Sequence, residues 1–452
     1  MMVNDHDTII APATATGGAL AVIRLSGRDA IAIADRLFRG RRPLAELQSH
    51  RVAFGTLQEG DRVVDEVVAT LYRGPHSYTG EDTVEWSCHG STYIVQEVLR
   101  LALKEGARMA EPGEFTRRAY LAGRLDLSQA EAVADLIASS SRAAHQLATN
   151  QMRGGYSSSL EALRDELLQL ATLLELELDF SEEDVEFADR GRLRTLMEHI
   201  GGEIGRLKAS FSLGNALKEG IPVAIVGAPN VGKSTLLNQL LQEDRAMVSD
   251  IAGTTRDVIE ERLLIDGVLF RVLDTAGIRH TDDRLEQMGI DRTLQSISRA
   301  RIVVRMVDAD AVMASGVSQP DFELSADQQL VTVVNKIDRV QALSLPEGVL
   351  AISARSGEGV EALKQALRSA VATDHLDEGQ PVVSSLRHFE ALEIASEALK
   401  RALEGLDCDL PTDLLSEEIR QVIDAVGSIT GRGVILPAEL LANLFGHFCI
   451  GK

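Results

Sequence analysis

The stretch Gly227–Thr235, GAPNVGKST, follows the apolar run VAIV and leads into LLNQLL. It fits the spacing G-x-x-x-x-G-K-[ST] in the order strand, loop, helix, the setting in which that spacing binds phosphate. Its glycines let backbone N–H groups wrap phosphate oxygens, aided by the positive end of the following helix. Lys233 offers a cation to the β/γ charge and Ser234 a hydroxyl to Mg2+. Alone, the loop means a nucleoside triphosphate and no more.

Three later pieces narrow the choice. DTAG (Asp274, Thr275, Ala276, Gly277) ends the apolar run LFRVL, placing a carboxylate for metal-bound water and a glycine N–H near the γ-phosphate. NKID (Asn335–Asp338) ends QLVTVV; the Asp338 carboxylate can accept from the N1–H and 2-amino group of guanine, a pair that adenine lacks. SAR (Ser353, Ala354, Arg355) follows GVLAI and supports the base. Each piece closes a strand, where open α/β sheets bind ligands. The domain is therefore read as a GTPase.

Working outward, IPVAIVG, LFRVLDTAG, RIVVRMVD, QLVTVVNKID and GVLAISA alternate with helical stretches over residues 219–377. That alternation predicts a parallel sheet covered by helices, a Ras-like P-loop G domain. Residues 124–218 and 378–452 are helical in pattern, the second apart from a break at GSITGRGVILP. In LSQAEAVADLI, Ser128 and Glu131 have capping-box spacing, and Val133 and Ile137 share a face. Residues 1–123 mix β-rich runs (AVIRL, DEVVATLY, DTVEWSC) with Gly/Pro turns and the helical TYIVQEVLRLALKEG, a compact α/β unit. The expected fold is multidomain, α/β plus all-α, with the G domain inserted into a helical domain.

Bulk properties agree. The 452 residues allow roughly three domains, and 45% hydrophobic with 25% charged residues is ordinary for buried cores. Cys88, Cys408 and Cys449 are too few and scattered for a disulfide framework or a zinc site, which favours a reducing, cytoplasmic setting. No secretory signal and no membrane span are expected. A formal net charge of −22 argues against a free-standing nucleic-acid binder, though not against a tRNA enzyme working in a complex. SEEDVE (181–186) reads as an acidic loop or helix start, or as a metal site. RLFRGRR (Arg36–Arg42) reads as a solvated helix end, or as a contact for tRNA or a partner.

Two details of the G domain are unusual. Ile278 follows DTAG where Ras-like proteins carry a water-orienting Gln, so another group must align water and a further positive charge must stabilise the transition state. Asn230, with carbonyls of SDIAGTTRD (Ser249–Asp257), could hold a monovalent cation against the phosphates; equally, Asn in such a loop can brace it.

With GAPNVGKS, AGTTRD, DTAG, NKID and a terminal CIGK in one chain, the sequence closely resembles the MnmE (TrmE) family of tRNA-modification GTPases, end to end. GGALAVIRLSG, SYTGEDTVEWSCHG, EPGEFTRRAYLAGRLDLSQAEAVADLI and LDFSEEDVEF carry the more specific part of the likeness. The resemblance implies an N-terminal folate-binding and dimerisation domain (1–123), a helical domain in two parts (124–218 and 378–452) and an inserted G domain (219–377). It implies a homodimer that joins an MnmG-type FAD protein in a heterotetramer. That complex forms 5-carboxymethylaminomethyl or aminomethyl uridine at the tRNA wobble position. The one-carbon donor is a tetrahydrofolate, 5-formyl or 5,10-methylene, and GTP hydrolysis is K+-stimulated. FAD enters only through the partner, and no membrane is involved. The alternative is a non-enzymatic regulatory or ribosome-assembly GTPase switch, against which the acidic balance and lack of an RNA-binding appendix speak.

Residue by residue, the resemblance assigns folate contacts to Arg24, Glu85, Arg124 and Lys452. It assigns nucleotide contacts to Asn230, Val231, Gly232, Lys233, Ser234 and Thr235, and to Ser249, Asp250, Ile251, Ala252, Gly253, Thr254 and Thr255. Further ones fall on Asp274, Thr275, Ala276, Gly277, Asn335, Lys336, Asp338, Ser353, Ala354 and Arg355. Mg2+ maps to Ser234 and Thr255, and K+ to Asn230, Ser249, Ile251 and Thr254. Glu286 in RLEQMGI takes the role of the missing Gln. Chain-terminal HFCIGK does not suit prenylation, since Gly451 and Lys452 stand where aliphatic and permissive residues belong. Cys449 is then either a buried small hydrophobe or, as the resemblance suggests, a reactive thiol carried to the folate pocket. Cys88 and His89, adjacent in a strand, point to opposite faces and form no dyad; Cys88 is read as structural. Ser91 stands where some relatives carry Gly.

Overall fold

Period-two alternation builds the first sheet. In strand β5 (Arg62–Tyr72), Val67, Ala69 and Leu71 are buried while Glu66, Val68 and Thr70 face the other way. Strand β6 (Thr83–His89) repeats this with Val84, Trp86 and Cys88 inside. So does β2 (Leu20–Ser26), with Ala21, Ile23 and Leu25 inside. Together with β1 (Ile9–Pro12), β3 (Phe38–Gly40), β4 (Arg51–Glu59) and β7 (Arg108–Met109) they form a seven-stranded sheet, β3-β4-β5-β6-β2-β1-β7. Every pair is antiparallel except β1 with β7. Helices α1 (Ala30–Leu37) and α2 (Thr92–Lys104) cover the apolar face. The other face carries Arg24, Glu85 and His89, and leaves Phe54 and Leu20 each 66% exposed.

The computed structural model describes residues 7–179, 190–244, 261–273, 286–341, 343–371, 380–433, 438–446, 448 and 451. The chain divides into two units, Met1–Ala134 with Gly427–Lys452, and Asp135–Val426. Within the first, the last helix, Ala438–Gly446, rests on α3 (Glu114–Leu121). Gly113 has φ +66, and a Cβ there would stand 2.4 Å from the Phe445 carbonyl oxygen, so no other residue permits that approach. Phe445 closes a small core with Leu127 and Ala130. The helix α4 (Leu127–Ala138) is capped reciprocally by Asp126 and Gln129, each backbone N–H reaching the other's side-chain oxygen at 2.9 Å. Ser128 and Glu131 are therefore not the cap that their spacing suggested; Ser128 instead donates to Asp126. Val133 is half-buried, but Ile137 is 43% exposed.

In the second unit, helices α5 (Arg142–Met152), α6 (Gly155–Asp179), α7 (Arg190–Glu219) and α12 (Leu386–Asp407) bury apolar stripes at helical spacing. Leu193, Met197, Ile200, Ile204 and Leu207 are one such stripe. The helix α13 (Thr412–Thr430) runs into GSIT, so the expected break begins only at Gly431. Between α7 and α12 the chain forms a six-stranded sheet, β13-β12-β11-β8-β10-β9. Its strands are β8 (Ile221–Gly227), β9 (Glu261–Ile265), β10 (Val268–Val272), β11 (Ile302–Asp308), β12 (Gln329–Asn335) and β13 (Leu350–Ala351). Five are parallel; β9 is an antiparallel edge added by the Asp266–Gly267 turn, which the sequence pattern did not announce. Helices α8 (Lys233–Asp244), α9 (Glu286–Arg299), α10 (Ala309–Ser315) and α11 (Val360–Ser369) complete this layer. The expected multidomain mixture of α/β and helical parts is what the chain folds into.

Candidate functional site

In the second unit, strand β8 delivers the phosphate loop from the middle of its sheet, between β10 and β11. Gly227 has φ +152, and a Cβ would lie 2.4 Å from the Met306 carbonyl of β11. Asn230 adopts the left-handed conformation (φ +62), which its short amide tolerates better than most side chains. Gly232 has φ +106, and its missing Cβ leaves room for the Asn335 amide, which would otherwise be 2.3 Å away. Lys233 opens α8 and lays its ammonium across the loop, 2.7 Å from the Gly227 carbonyl and 3.0 Å from that of Ala228. Burial pulls its pKa below the ordinary lysine value. Ser234 follows, half-buried, and Thr235 is exposed.

Asn335 is the strut of this site. Buried at the end of β12, it donates to the Val231 carbonyl at 2.7 Å and accepts from the Ala354 N–H at 2.9 Å. It thereby ties the phosphate loop, NKID and SAR into one body. Asp338 is exposed at the same edge, and Ser353 donates to it at 2.7 Å. That hydrogen bond holds its carboxyl below the usual carboxylate range, so at neutral pH it is an acceptor only. Lys336 (φ +68) pairs with Asp308 at 2.6 Å. Asp308 escaped the sequence reading, although it ends an apolar strand as the other site carboxylates do. Arg355 is exposed.

In the first unit, Arg24 and Glu85 face each other across β2 and β6, with Nε to Oε1 at 2.8 Å. The guanidinium also lies over the rings of Tyr78 (5.2 Å) and Phe115 (5.6 Å) and donates to the Gly451 carbonyl at 3.4 Å. Gly451 is buried with φ +96, and a Cβ would stand 2.1 Å from the Pro12 carbonyl. So the chain end returns to the strand that carries Arg24. Beside the pair opens a hollow of about 440 Å³ lined by His50, Tyr72, His76, Ser77, Tyr78 and Arg124. Burial raises the Tyr78 phenol, whose oxygen is 2.9 Å from that of Thr116. Burial and then the charge of Glu85 raise Tyr72.

The wall holding Tyr78 is anchored from below by a buried ion network. Arg118, 3% exposed, donates to Glu81 at 3.1 Å, to Asp7 at 2.8 Å and to Glu114 at 3.1 Å. Arg108 adds bonds to Asp7 and Glu114. Burial alone would raise the Glu114 pKa, but Arg108, the Glu111 N–H and Arg118 outweigh it and hold the carboxyl low.

The structure therefore brings Arg24, Glu85 and the chain end together, with Arg124 on the adjoining hollow. In the other unit it gathers Asn230–Thr235 with Asn335, Lys336, Asp338 and Ser353–Arg355. Several expected residues lie outside the described residues: 249–255, 274–278, Cys449, Lys452 and SEEDVE. Glu286 stands first in α9, and its side chain also lies outside the description. Tyr72, Tyr78, Phe115, His50 and His76 were missed, having no motif spacing to mark them. Cys88 is buried, its thiol pushed up to about 11 by burial and then Asp65. His89 is exposed on the opposite face, 2.7 Å from Asp65. In the basic cluster, Arg36 pairs with Glu105 and Arg39 caps carbonyls at the end of α1. Among the described residues, no group of three or more His, Cys, Asp or Glu could hold a metal, and no helix is long and apolar enough to cross a membrane.

Residues 8–124 match the model of the GTP-binding protein TrmE N-terminus, and residues 127–449 that of the MnmE helical domain. A tRNA modification GTPase MnmE of Bacteroides fragilis is 47% identical over 466 residues, covering 99% of this chain and 100% of the relative. The proteins so named from Flavobacterium psychrophilum (462 residues; 99% of each chain) and Porphyromonas gingivalis (470 residues; 99% and 98%) are each 48% identical. Among solved structures, Aquifex aeolicus Era bound to GDP.AlF4- is 26% identical over 39% of this chain and 65% of its own, with a TM-score of 0.24. Full-length identity near one half, on a chain that carries every guanine-nucleotide motif, leaves one assignment: this protein belongs to the MnmE family of tRNA modification GTPases.

Proposed function

We propose that this chain hydrolyses GTP in K+-stimulated fashion while its N-terminal region holds a tetrahydrofolate whose one-carbon unit is destined for C5 of the tRNA wobble uridine. The observation that carries the folate half is the Arg24–Glu85 pair beside an aromatic-walled hollow. A pterin needs a carboxylate to accept from its ring donors, flat walls and a cation for its acidic end. Glu85, Tyr72 with Tyr78, and Arg124 meet those needs, so the residues present fit the group. Folate, when bound, supplies the one-carbon unit. Arg24 orients Glu85, and the Gly451 carbonyl on Arg24 supports a reading in which Lys452 and Cys449 serve the same hollow.

At the nucleotide, the loop N–H groups and Lys233 would hold the phosphates, and Asp338 would read guanine. Ser234 and Thr255 would hold Mg2+, and Asn230, Ser249, Ile251 and Thr254 would hold K+. The left-handed Asn230 and the Ser234 hydroxyl at the helix start suit these ions as far as the described residues go. Glu286 would arrange the attacking water. The remaining assignments, 250, 252–253 and 274–277 among them, would line the nucleotide.

We further read residues 1–123, 124–218, 219–377 and 378–452 as folate-binding, helical, G and second helical parts. The protein would work in the cytoplasm as a homodimer with an MnmG-type FAD protein and tRNA. Phe54, Val52 (61% exposed) and Leu20 on the open sheet face support self-association through the N-terminal sheet. Calorimetry of the full chain with 5-formyltetrahydrofolate tests the central claim. Binding weakened about tenfold by Glu85→Gln is expected, from the loss of a charged acceptor; no binding to the wild type would overturn it. GTP turnover equal in K+ and Na+ would remove the cation reading.

A further inference from the structure

We propose that His50 and His76, together with Arg124, form a carboxylate-binding rim that makes the hollow prefer folates carrying several γ-glutamyl units. This rests on the folate reading above and extends it to the far end of the ligand.

The lining of the hollow divides by chemistry. Tyr72 and Tyr78 are walls for a flat ring, while His50, His76 and Arg124 are basic. No carboxylate lines it among the described residues, and the charge of Glu85, on the adjoining sheet face, is balanced by Arg24 at 2.8 Å. In a chain of net charge −22, an acidic ligand is repelled unless cations and donors are concentrated locally. A single glutamyl unit has two carboxylates, one of which a guanidinium fork pairs with bidentately while water keeps the other. Two more imidazoles at the exposed edge exceed that need, whereas each added glutamyl unit brings one more carboxylate outward.

Both imidazoles are held in place. His50 sits in the left-handed region (φ +63), a conformation that persists only where its surroundings impose it. Its N–H donates to the Leu71 carbonyl at 2.7 Å, and its ring stands edge-on to Tyr72 at 5.6 Å. Arg73 organises the histidine side of the rim. Its guanidinium donates to the carbonyls of Ala45 and Leu47, its N–H to the Ser49 hydroxyl, and its carbonyl accepts from the His76 N–H at 3.0 Å. The loop bearing His50 and the turn bearing His76 thus hang from one residue. Both histidines are exposed, as the exit of a long tail requires.

Titration calorimetry of the full chain with mono- and triglutamyl 5-formyltetrahydrofolate, at one pH and ionic strength, tests this. The wild type is expected to bind the triglutamyl form about three- to tenfold tighter, the scale of a few exposed charge contacts. In His50→Asn/His76→Ala the gap closes to within about twofold, while monoglutamyl affinity changes less than about twofold; Asn tolerates the left-handed backbone at 50. His76→Glu, in an exposed turn, keeps the fold and reverses the preference. A wild type indifferent to tail length, or variants that keep the gap, overturn the proposal. Failure of the monoglutamyl form to bind the wild type overturns the folate reading itself, and the rim with it.

Discussion

The phosphate loop and the N-terminal hollow are built by opposite means. The loop takes its shape from one run of residues, Gly227 to Thr235, and works through backbone N–H groups and a helix end. The hollow and its Arg24–Glu85 pair work through side chains, and one contact, Arg24 to Gly451, spans 427 positions. A backbone site must be contiguous, because its geometry is a matter of successive dihedral angles. A side-chain site can be gathered from anywhere the fold brings together, so it leaves little trace in spacing.

That contrast can be broken by substitution. Gly232→Ala puts a Cβ 2.3 Å from the Asn335 amide at φ +106, and is expected to cut GTP hydrolysis at least about 100-fold by phosphate release. A variant with near-normal turnover would mean that backbone shape is not what holds the phosphates. Next in size, Asn335→Ala strands the Val231 carbonyl and the Ala354 N–H in a buried place. At about 1–3 kcal/mol per orphaned group, about 2–6 kcal/mol of stability should be lost in urea unfolding, and GTP affinity should fall in a nucleotide titration. An unchanged affinity would deny Asn335 its role as strut.

On the side-chain site, Glu114→Gln removes a fully buried carboxylate from Arg108 and Arg118, and about 3 kcal/mol should be lost in urea unfolding. The sign with pH follows from the lowered pKa values of Glu114 and Asp7. Their contribution is complete above the ordinary carboxylate value near 4 and is lost as pH falls through the folded values. The variant should therefore show a shallower loss of stability below about pH 4 than the wild type. The smallest effect concerns Cys88: iodoacetamide at pH 8 should label Cys408 and spare Cys88, whose thiol is buried and pushed up to about 11. Labelling of both at similar rates would place Cys88 outside the core.

Much of the fold was legible. VAIV before GAPNVGKST is the central strand, and DEVVATLY and DTVEWSC, read as β-rich, lie in strands of the first sheet. What went astray was local competition. Asp126 with Gln129 outdid Ser128 with Glu131 as a cap, since both pairs share the same spacing and only the point where the chain enters the helix chooses between them. GVLAISA yields a strand of only Leu350–Ala351, because Ser353 and Ala354 turn to meet Asp338 and Asn335. The edge strand Glu261–Ile265 was unreadable, because an edge needs only one partner and a tight turn.

Sequence alone was enough to determine the guanine-nucleotide chemistry, because strand-ending loops carry their geometry in consecutive residues. It was enough, too, to send Cys88 and His89 to opposite faces of their strand, since side chains alternate whatever the partner strand. Only tertiary structure decided that Asn335 braces the phosphate loop, that Tyr72, Tyr78, His50 and His76 share one hollow with Arg124, and that Gly451 returns to Arg24. These are meetings across long separations, set by close glycine approaches at Gly113, Gly232 and Gly451 and by buried ion pairs, and neither leaves a period in the chain.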